Sequence, residues 1–219
     1  MRINKYVALA TGISRRKADD IIAKGQIYLN STKANPGSNV LQQDIVTLNN
    51  KKLILPIFTT ILLNKPTGYV CSRNGQGSAT IYDLLPKKYH NLKPIGRLDK
   101  NSSGLLLLTN NGVLHQKLTH PSYAKQKRYI VMLNKPLLPK DQSNIKKGVM
   151  LEDGISKLQL KKDAKTWVIT MAEGRNRQIR RTFSTLNYKV TTLKRTNFGP
   201  YKLSEIPKHQ IFLELQDNT

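Results

Sequence analysis

The longest apolar runs in this chain are short: residues 53–58 and residues 105–108. The second is four leucines in a row, with Ser102-Ser103-Gly104 before it and Thr109-Asn110-Asn111-Gly112 after it. Turn-forming residues on both sides of so short a run read as a buried strand. Neither run approaches the roughly 18–20 apolar residues of a membrane-spanning helix. The apolar stretch at residues 6–10 is too short for the apolar region of a signal peptide. With 38% hydrophobic residues the chain can still build a core, which argues against wholesale disorder. The apolar content must therefore be spread over many short elements of a cytoplasmic protein. A single cysteine, Cys71, fits a reducing compartment, because it can make neither an internal disulfide nor a thiolate metal site. It is expected to be a buried structural thiol. The four histidines are scattered, with no metal-ligand spacing among them.

Residues 1–50 read as a self-contained unit. Ile3, Tyr6, Val7 and Ala10 follow helical spacing up to Gly12. Ser14 can cap a second helix over 15–24, with Ala18, Ile21 and Ile22 on its apolar side and Gly25 at its end. A strand at Ile27 and Leu29, a polar turn at 30–33 and a strand at 45–48 follow. A linker is expected at 49–56. From residue 57 the chain becomes strand-rich, with candidates at 60–64, 105–109, 127–133, 157–160, 167–171, 188–195 and 210–215. Helices are expected at 113–118 and 176–186. Trp167 reads as core, and His120-Pro121-Ser122 as a turn. Strands mixed with few helices and no regular βαβ alternation predict an α+β protein. Its plan is a small N-terminal α/β module followed by a mixed, largely antiparallel sheet with flanking helices.

Lysine and arginine number 37 against 13 acidic residues, a net charge of +24. Such a surplus calls for a polyanion, nucleic acid before an anionic membrane. The membrane reading lacks a long amphipathic helix with bulky apolar anchors. Part of the surplus sits where it is unfavourable. Arg15, Arg16 and Lys17 fall in the first turn of the second helix, against the helix dipole. Contact with phosphates gives that placement a use. The stretches Ile3-Asn4-Lys5-Tyr6, Gly12-Ile13-Ser14-Arg15-Arg16-Lys17-Ala18 and residues 22–30 resemble the RNA-binding module first seen in ribosomal small-subunit protein four. The resemblance covers about residues 1–48 and implies binding to structured RNA, with no catalysis.

Among the few acids, Asp99 stands out. It lies in Gly96-Arg97-Leu98-Asp99-Lys100-Asn101-Ser102-Ser103-Gly104, just before the leucine run. Turn chemistry alone could explain it. No second carboxylate lies nearby in sequence for paired acid–base work. A lone carboxylate can still be a nucleophile if an arginine keeps it ionised. The motif, with the Leu-Leu-Leu-Leu-Thr-Asn-Asn-Gly that follows, resembles the catalytic motif of the ribosomal pseudouridine synthases, in the branch founded by the small-subunit rRNA enzyme. Three further stretches match in order. They are Leu63-Asn64-Lys65-Pro66-Thr67-Gly68-Tyr69-Val70-Cys71-Ser72, Lys127-Arg128-Tyr129-Ile130-Val131, and Glu173-Gly174-Arg175-Asn176-Arg177-Gln178-Ile179-Arg180-Arg181.

The resemblance implies a synthase domain over 57–219 that isomerises uridine to pseudouridine in ribosomal RNA. It implies that Asp99 attacks the target uridine, at the anomeric carbon or at the base. It implies that Tyr129 stacks on the uracil and takes the proton from carbon 5. Arg180 would pair with Asp99, and Arg97 would fill the space left by the flipped nucleotide. Arg175, Arg177 and Arg181 are expected on phosphates, with Arg177 as the alternative partner of Asp99. On a helical wheel for 176–186, Ile179, Phe183 and Leu186 form the core face and Arg180 lies at its edge. The isomerisation needs no redox cofactor and no metal, and none is expected. The expected partner is ribosomal RNA, free and structured or in a pre-ribosomal particle, with the protein a monomer. The stretches at 70–74 and 173–177 resemble the large-subunit enzymes more. The rival reading is a non-catalytic rRNA-binding or ribosome-assembly protein on an inactive synthase fold. Other basic pairs, Lys194-Arg195 among them, read as solvated.

Overall fold

A computed structural model describes residues 1–120 and 125–215. It divides into two compact units, Met1–Ile57 and Phe58–Thr219.

The first unit opens with α1 (Ile3–Thr11) and α2 (Arg15–Ala23). Gly12 ends α1 in the left-handed conformation (φ 77°), donating its N–H to the Ala8 carbonyl. Ser14 caps α2 by accepting from the Lys17 N–H at 3.2 Å. A four-stranded sheet follows: β1 (Ile27–Leu29), β2 (Thr32–Lys33), β3 (Val46–Leu48) and β4 (Lys51–Lys52), in the order β2-β1-β3-β4. Asn30-Ser31 and Asn49-Asn50, all at positive φ, make the two tight hairpin turns. Lys51 and Lys52 thus belong to this sheet, inside the segment expected to be a linker. The core is Ile3, Val7, Ala18, Ile22, Ile27, Ala34, Val40 and Val46.

The second unit is built on a nine-stranded, mainly antiparallel sheet. Its strands and helices are β5 (Thr60–Lys65), β6 (Lys93–Ile95), β7 (Ser103–Thr109), α3 (Gly112–Thr119), β8 (Lys127–Leu133) and α4 (Pro139–Lys147). A separate hairpin, β9 (Val149–Leu151) and β10 (Gly154–Ser156), comes next. It is followed by β11 (Gln159–Asp163), β12 (Thr166–Met171), α5 (Gln178–Thr185), β13 (Val190–Phe198), β14 (Tyr201–Lys202) and β15 (Phe212–Leu215). The path is β11-β12-β8-β13-β7-β5-β15, with β6 on β7 and β14 on β13. Among the described strands of this sheet, β13 and β7 pair in parallel and the others antiparallel. The leucine run forms the centre of β7, and the pleat splits it. Leu106 and Leu108 enter a core with Ile61, Leu63, Val131, Ile169 and Phe183, while Leu105 and Leu107 enter another with Leu62, Ile95, Leu118 and Phe198. Each buried leucine is worth about 1.5–3 kcal/mol, so β7 holds two layers together.

Three features depart from expectation. The strand expected at 157–160 falls across the gap between β10 and β11. Helix α4 was not foreseen, because its inward residues are only Asp141 and Ile145. The Asp141 carboxylate accepts from the buried Tyr188 hydroxyl at 2.7 Å. The strand expected at 188–195 begins later and runs to Phe198. Trp167 and Cys71 are buried as expected. His120 caps the end of α3, while Pro121 and Ser122 lie outside the described residues. No helix among the described residues is long and apolar enough to cross a membrane.

Candidate active site

Asp99 sits in the turn between β6 and β7, and its backbone is held from three directions. From β5, the fully buried Lys65 ammonium donates to the carbonyls of Pro66 (2.9 Å), Asp99 (3.2 Å) and Ser102 (2.8 Å). Burial pushes the Lys65 ammonium below its ordinary value, against the opposing pull of Cys71 and Asp99. The Cys71 thiol donates to the Leu98 carbonyl at 3.3 Å and accepts from the Leu98 N–H at 3.4 Å. Burial raises this thiol, as befits a structural role. From α5, Arg180 donates to the carbonyls of Val190 (2.9 Å) and Asn101 (2.7 Å). The Asp99 side chain itself is left about one-third exposed.

The guanidinium facing that side chain is Arg177, with Nη1 3.8 Å from Oδ2. Of the two arginines weighed for this pairing, the ion-pair contact is made by Arg177. Among the described residues Arg180 makes no ion pair with Asp99; its Nη1 and Nη2 are turned to two backbone carbonyls. It fixes the turn that carries the carboxylate. Burial lowers the Arg180 value, as does the charge of Arg177, and Asp99 opposes both. Arg177 reaches Asp99 from the residue before α5, at φ 46° and ψ 29°. A left-handed non-glycine costs about 1 kcal/mol or more, and such strain concentrates at functional sites.

Asp99 opens onto a cleft of about 600 Å³ lined by Arg97, Tyr129, Arg175, Arg177, Glu173 and Arg195, with Leu118, Met171, Ile179, Leu193 and Phe198 as its apolar wall. The volume suits one planar, nucleotide-sized ligand. Tyr129 is buried on β8, directly opposite Ile169 of β12 and Arg195 of β13. Arg97 is exposed at the rim. Glu173 is a second carboxylate of the cleft, far from Asp99 in sequence.

Two of the arginines expected on phosphates have protein partners. Arg181 forms a two-pronged pair with Asp153 (3.0 and 2.6 Å), and Arg175 bonds Asp153 and the carbonyls of Gly154 and Ile155. Both therefore tie the β9–β10 hairpin to the start of α5. Beneath them runs a buried polar seam that the wheel did not show. Gln178 bonds Glu173 and Ser156, and Thr182 bonds Ser156 at 2.8 Å. Beside α5 a second, open groove of about 920 Å³ collects Asn101, Arg177, Arg180, Arg181 and Lys189. In the first unit, Arg15, Arg16 and Lys17 are all exposed.

Lys65, Lys127 and Arg195 escaped the sequence reading as site residues. Lys127 donates to the Ala172 and Glu173 carbonyls at 3.3 and 3.2 Å. Burial depresses its value, and the charge of Arg195 adds to this. The one signal for Arg195 was the strand period, which puts it on the face of Leu193. Among the described residues no cluster of three or more His, Cys, Asp or Glu side chains could hold a metal ion.

Comparison with known proteins covers both units. Residues 1–46 match the S4 domain family, and residues 59–185 match the family described as RNA pseudouridylate synthase. The chain is 36% identical over 213 residues to the dual-specificity RNA pseudouridine synthase RluF of Escherichia coli, spanning 94% of this chain and 73% of that protein. It is 34% identical over 209 residues to the ribosomal large subunit pseudouridine synthase B of Bacillus subtilis, spanning 90% and 85%. A crystal structure of a pseudouridylate synthase superposes with a TM-score of 0.69 at 26% identity, covering 99% of this chain and 96% of that one.

Proposed function

This chain belongs to the RNA pseudouridylate synthase family, with an S4 domain ahead of the synthase unit, and we propose that it isomerises one or more uridines of ribosomal RNA to pseudouridine. We assign the target to the large subunit, in keeping with its likeness to the Bacillus subtilis enzyme and with the stretches at 70–74 and 173–177. It acts as a cytoplasmic monomer on structured rRNA or a pre-ribosomal particle. The S4 domain and the groove beside α5 grip phosphates, and the cleft of the second unit carries the chemistry.

The observation that carries this reading is the convergence of Asp99, Arg177 and Tyr129, from three separate segments, on one cleft of nucleotide size. A stacked uridine cannot be isomerised in place. It has to be turned out of the helix, at a cost of a few kcal/mol. Arg97 at the rim is a planar cation able to stack in the vacated space. Arg177 faces the Asp99 carboxylate at 3.8 Å, and Asp99 acts as the nucleophile. Tyr129 packs against the uracil and takes the carbon-5 proton. The turn is fixed by Lys65 and Arg180 before any substrate arrives, so little reorganisation remains for the reaction.

Pseudouridine mapping of rRNA from cells with and without the protein tests the reading. At least one site should vanish on deletion, return with the wild-type chain, and stay absent with Asp99→Asn. Unchanged maps would favour the non-catalytic reading.

A further inference from the structure

Arg195 is 2% exposed and among the most deeply buried side chains of the protein. Its backbone explains Gly104. The two residues pair across β7 and β13, and a Cβ on Gly104 would lie 2.2 Å from the Arg195 carbonyl oxygen. Among the described residues the side chain makes one hydrogen bond and one ring contact. Nε donates to the Leu105 carbonyl at 2.7 Å, and the guanidinium lies 4.9 Å from the centre of the Phe198 ring. Nη2 is buried with no hydrogen-bond partner among the described residues. Among the described residues no carboxylate comes within ion-pair distance of it. A second cation, Lys127, stands near enough for the two charges to repel.

A buried guanidinium with an idle donor and no counter-ion is costly. Its surroundings say what would complete it. Arg195 lines the cleft, and it stands directly opposite Tyr129 in the β8–β13 ladder. The wall there is apolar, from Leu193 and Phe198. Of the cations nearer the mouth, Arg97 is exposed and Arg177 is already turned to Asp99. The inner position suits a flat, largely uncharged ring carrying carbonyl acceptors. We propose that Arg195 is a further catalytic residue, whose Nη2 donates a hydrogen bond to a carbonyl oxygen of the target uracil. This rests on the synthase reading above.

The chemistry gives that donor a task. When the Asp99 carboxylate bonds C1′ and the C1′–N1 bond breaks, the N1 electron pair stays with the ring and spreads onto the O2 and O4 oxygens. Carbon 5 then bonds C1′ as the Asp99–C1′ bond breaks and returns the carboxylate; carbon 5 gives up its proton while N1 gains one, so uridine and pseudouridine have the same composition. Negative charge on the carbonyl oxygens is greatest between these events. A guanidinium already fixed through Leu105 meets it without rearranging, as preorganised donors do. Loss of one such donor typically lowers turnover about 10²–10³-fold.

The test uses the full chain and a synthetic RNA spanning a uridine mapped for the wild type. In Arg195→Met and Arg195→Gln, the single-turnover rate should fall about 10²–10³-fold, while RNA affinity stays within about threefold of wild type and the melting curve is kept. Should these variants fail to fold, wild-type enzyme decides with 2-thiouridine and 4-thiouridine at the target. Sulfur accepts hydrogen bonds poorly but carries negative charge well. One of the two RNAs should therefore react at least about tenfold more slowly than its oxygen parent. The inference is overturned by a folded Arg195 variant at wild-type rate, by equal losses of rate and affinity, or by thio-RNAs that react as fast as uridine. A wild-type protein that makes no pseudouridine in any rRNA overturns the synthase reading itself, and this inference with it.

Discussion

The two units of this protein are both basic, and they handle positive charge in opposite ways. In the S4 unit the cations of α2 stand free. Arg15 touches only Asn4, at 3.3 Å, and the side chains of Arg16 and Lys17 have no partner among the described residues. In the synthase unit several cations at or beside the cleft are held by protein groups. Lys65, Arg175, Arg180 and Arg181 are bound to carbonyls or to Asp153, and Arg177 faces Asp99. Free cations on a surface attract a polyanion wherever it lies and are weakened by salt. Cations fixed by backbone carbonyls define positions and feel bulk salt little. The same net charge thus divides into grip and geometry.

Substitutions can break that division. The largest effect is expected from Asp99→Asn, with turnover lower by about 10⁴-fold or more and RNA affinity within about threefold in a filter-binding assay. A matching loss of affinity would mean that the cleft grips as well as reacts. Next comes Arg180→Lys. Lysine lacks the planar fork whose Nη1 and Nη2 reach the Val190 and Asn101 carbonyls, so the turn loosens. The single-turnover rate should drop about 10–100-fold with KM for RNA nearly unchanged. If KM rises instead, Arg180 belongs with the grip. Replacing Arg15, Arg16 and Lys17 together by Gln should weaken RNA binding about 10–30-fold near 0.15 M salt. It should also make the dependence of log Kd on log salt shallower by about 2. The rate at saturating RNA should not move.

The smallest effect concerns Asp153, an exposed group on the synthase unit. Its hydrogen bond to Arg181, then the charges of Arg175 and Arg181, hold its carboxyl below the ordinary 3.8. A depressed carboxyl stabilises the fold at pH above its ordinary value, and that contribution is lost as pH falls through the depressed one. The melting temperature of Asp153→Asn should therefore lie slightly below wild type near neutrality and converge with it in acid. Added salt should narrow the gap at neutral pH. A gap that survives acid and salt would place Asp153 among the fixed cleft groups.

Much of this was legible in the sequence, and the losses have physical reasons. The leucine run, the α2 cap at Ser14 and the ends at Gly12 and Gly25 are local signals, and local signals survive folding. Asp99 could be found because acids are few. The choice between Arg177 and Arg180 turned on where backbone carbonyls lie, and no residue code announces that. Helix α4 hid because a buried Asp141 stands where an apolar residue would have marked the period. Its signals were Pro139 at its start and Gly148 at its end. Arg195, next to Lys194, looked like one of many solvated pairs, because burial of an arginine is decided by strands far away in the chain.

Lys65 lies near the start of the synthase unit, and the groups that complete its turn come late. Gly104 needs β13 beside it, and Arg195 bonds Leu105 across 90 residues of chain. Arg180 grips the same turn through Asn101. A chain emerging from its own ribosome therefore has the S4 core and the Asp99 motif long before it has a working site. Until α5 is made the carboxylate lacks Arg177, and until β13 is made the central strand lacks its parallel neighbour. During synthesis the means of holding RNA come first, and the chemistry switches on last.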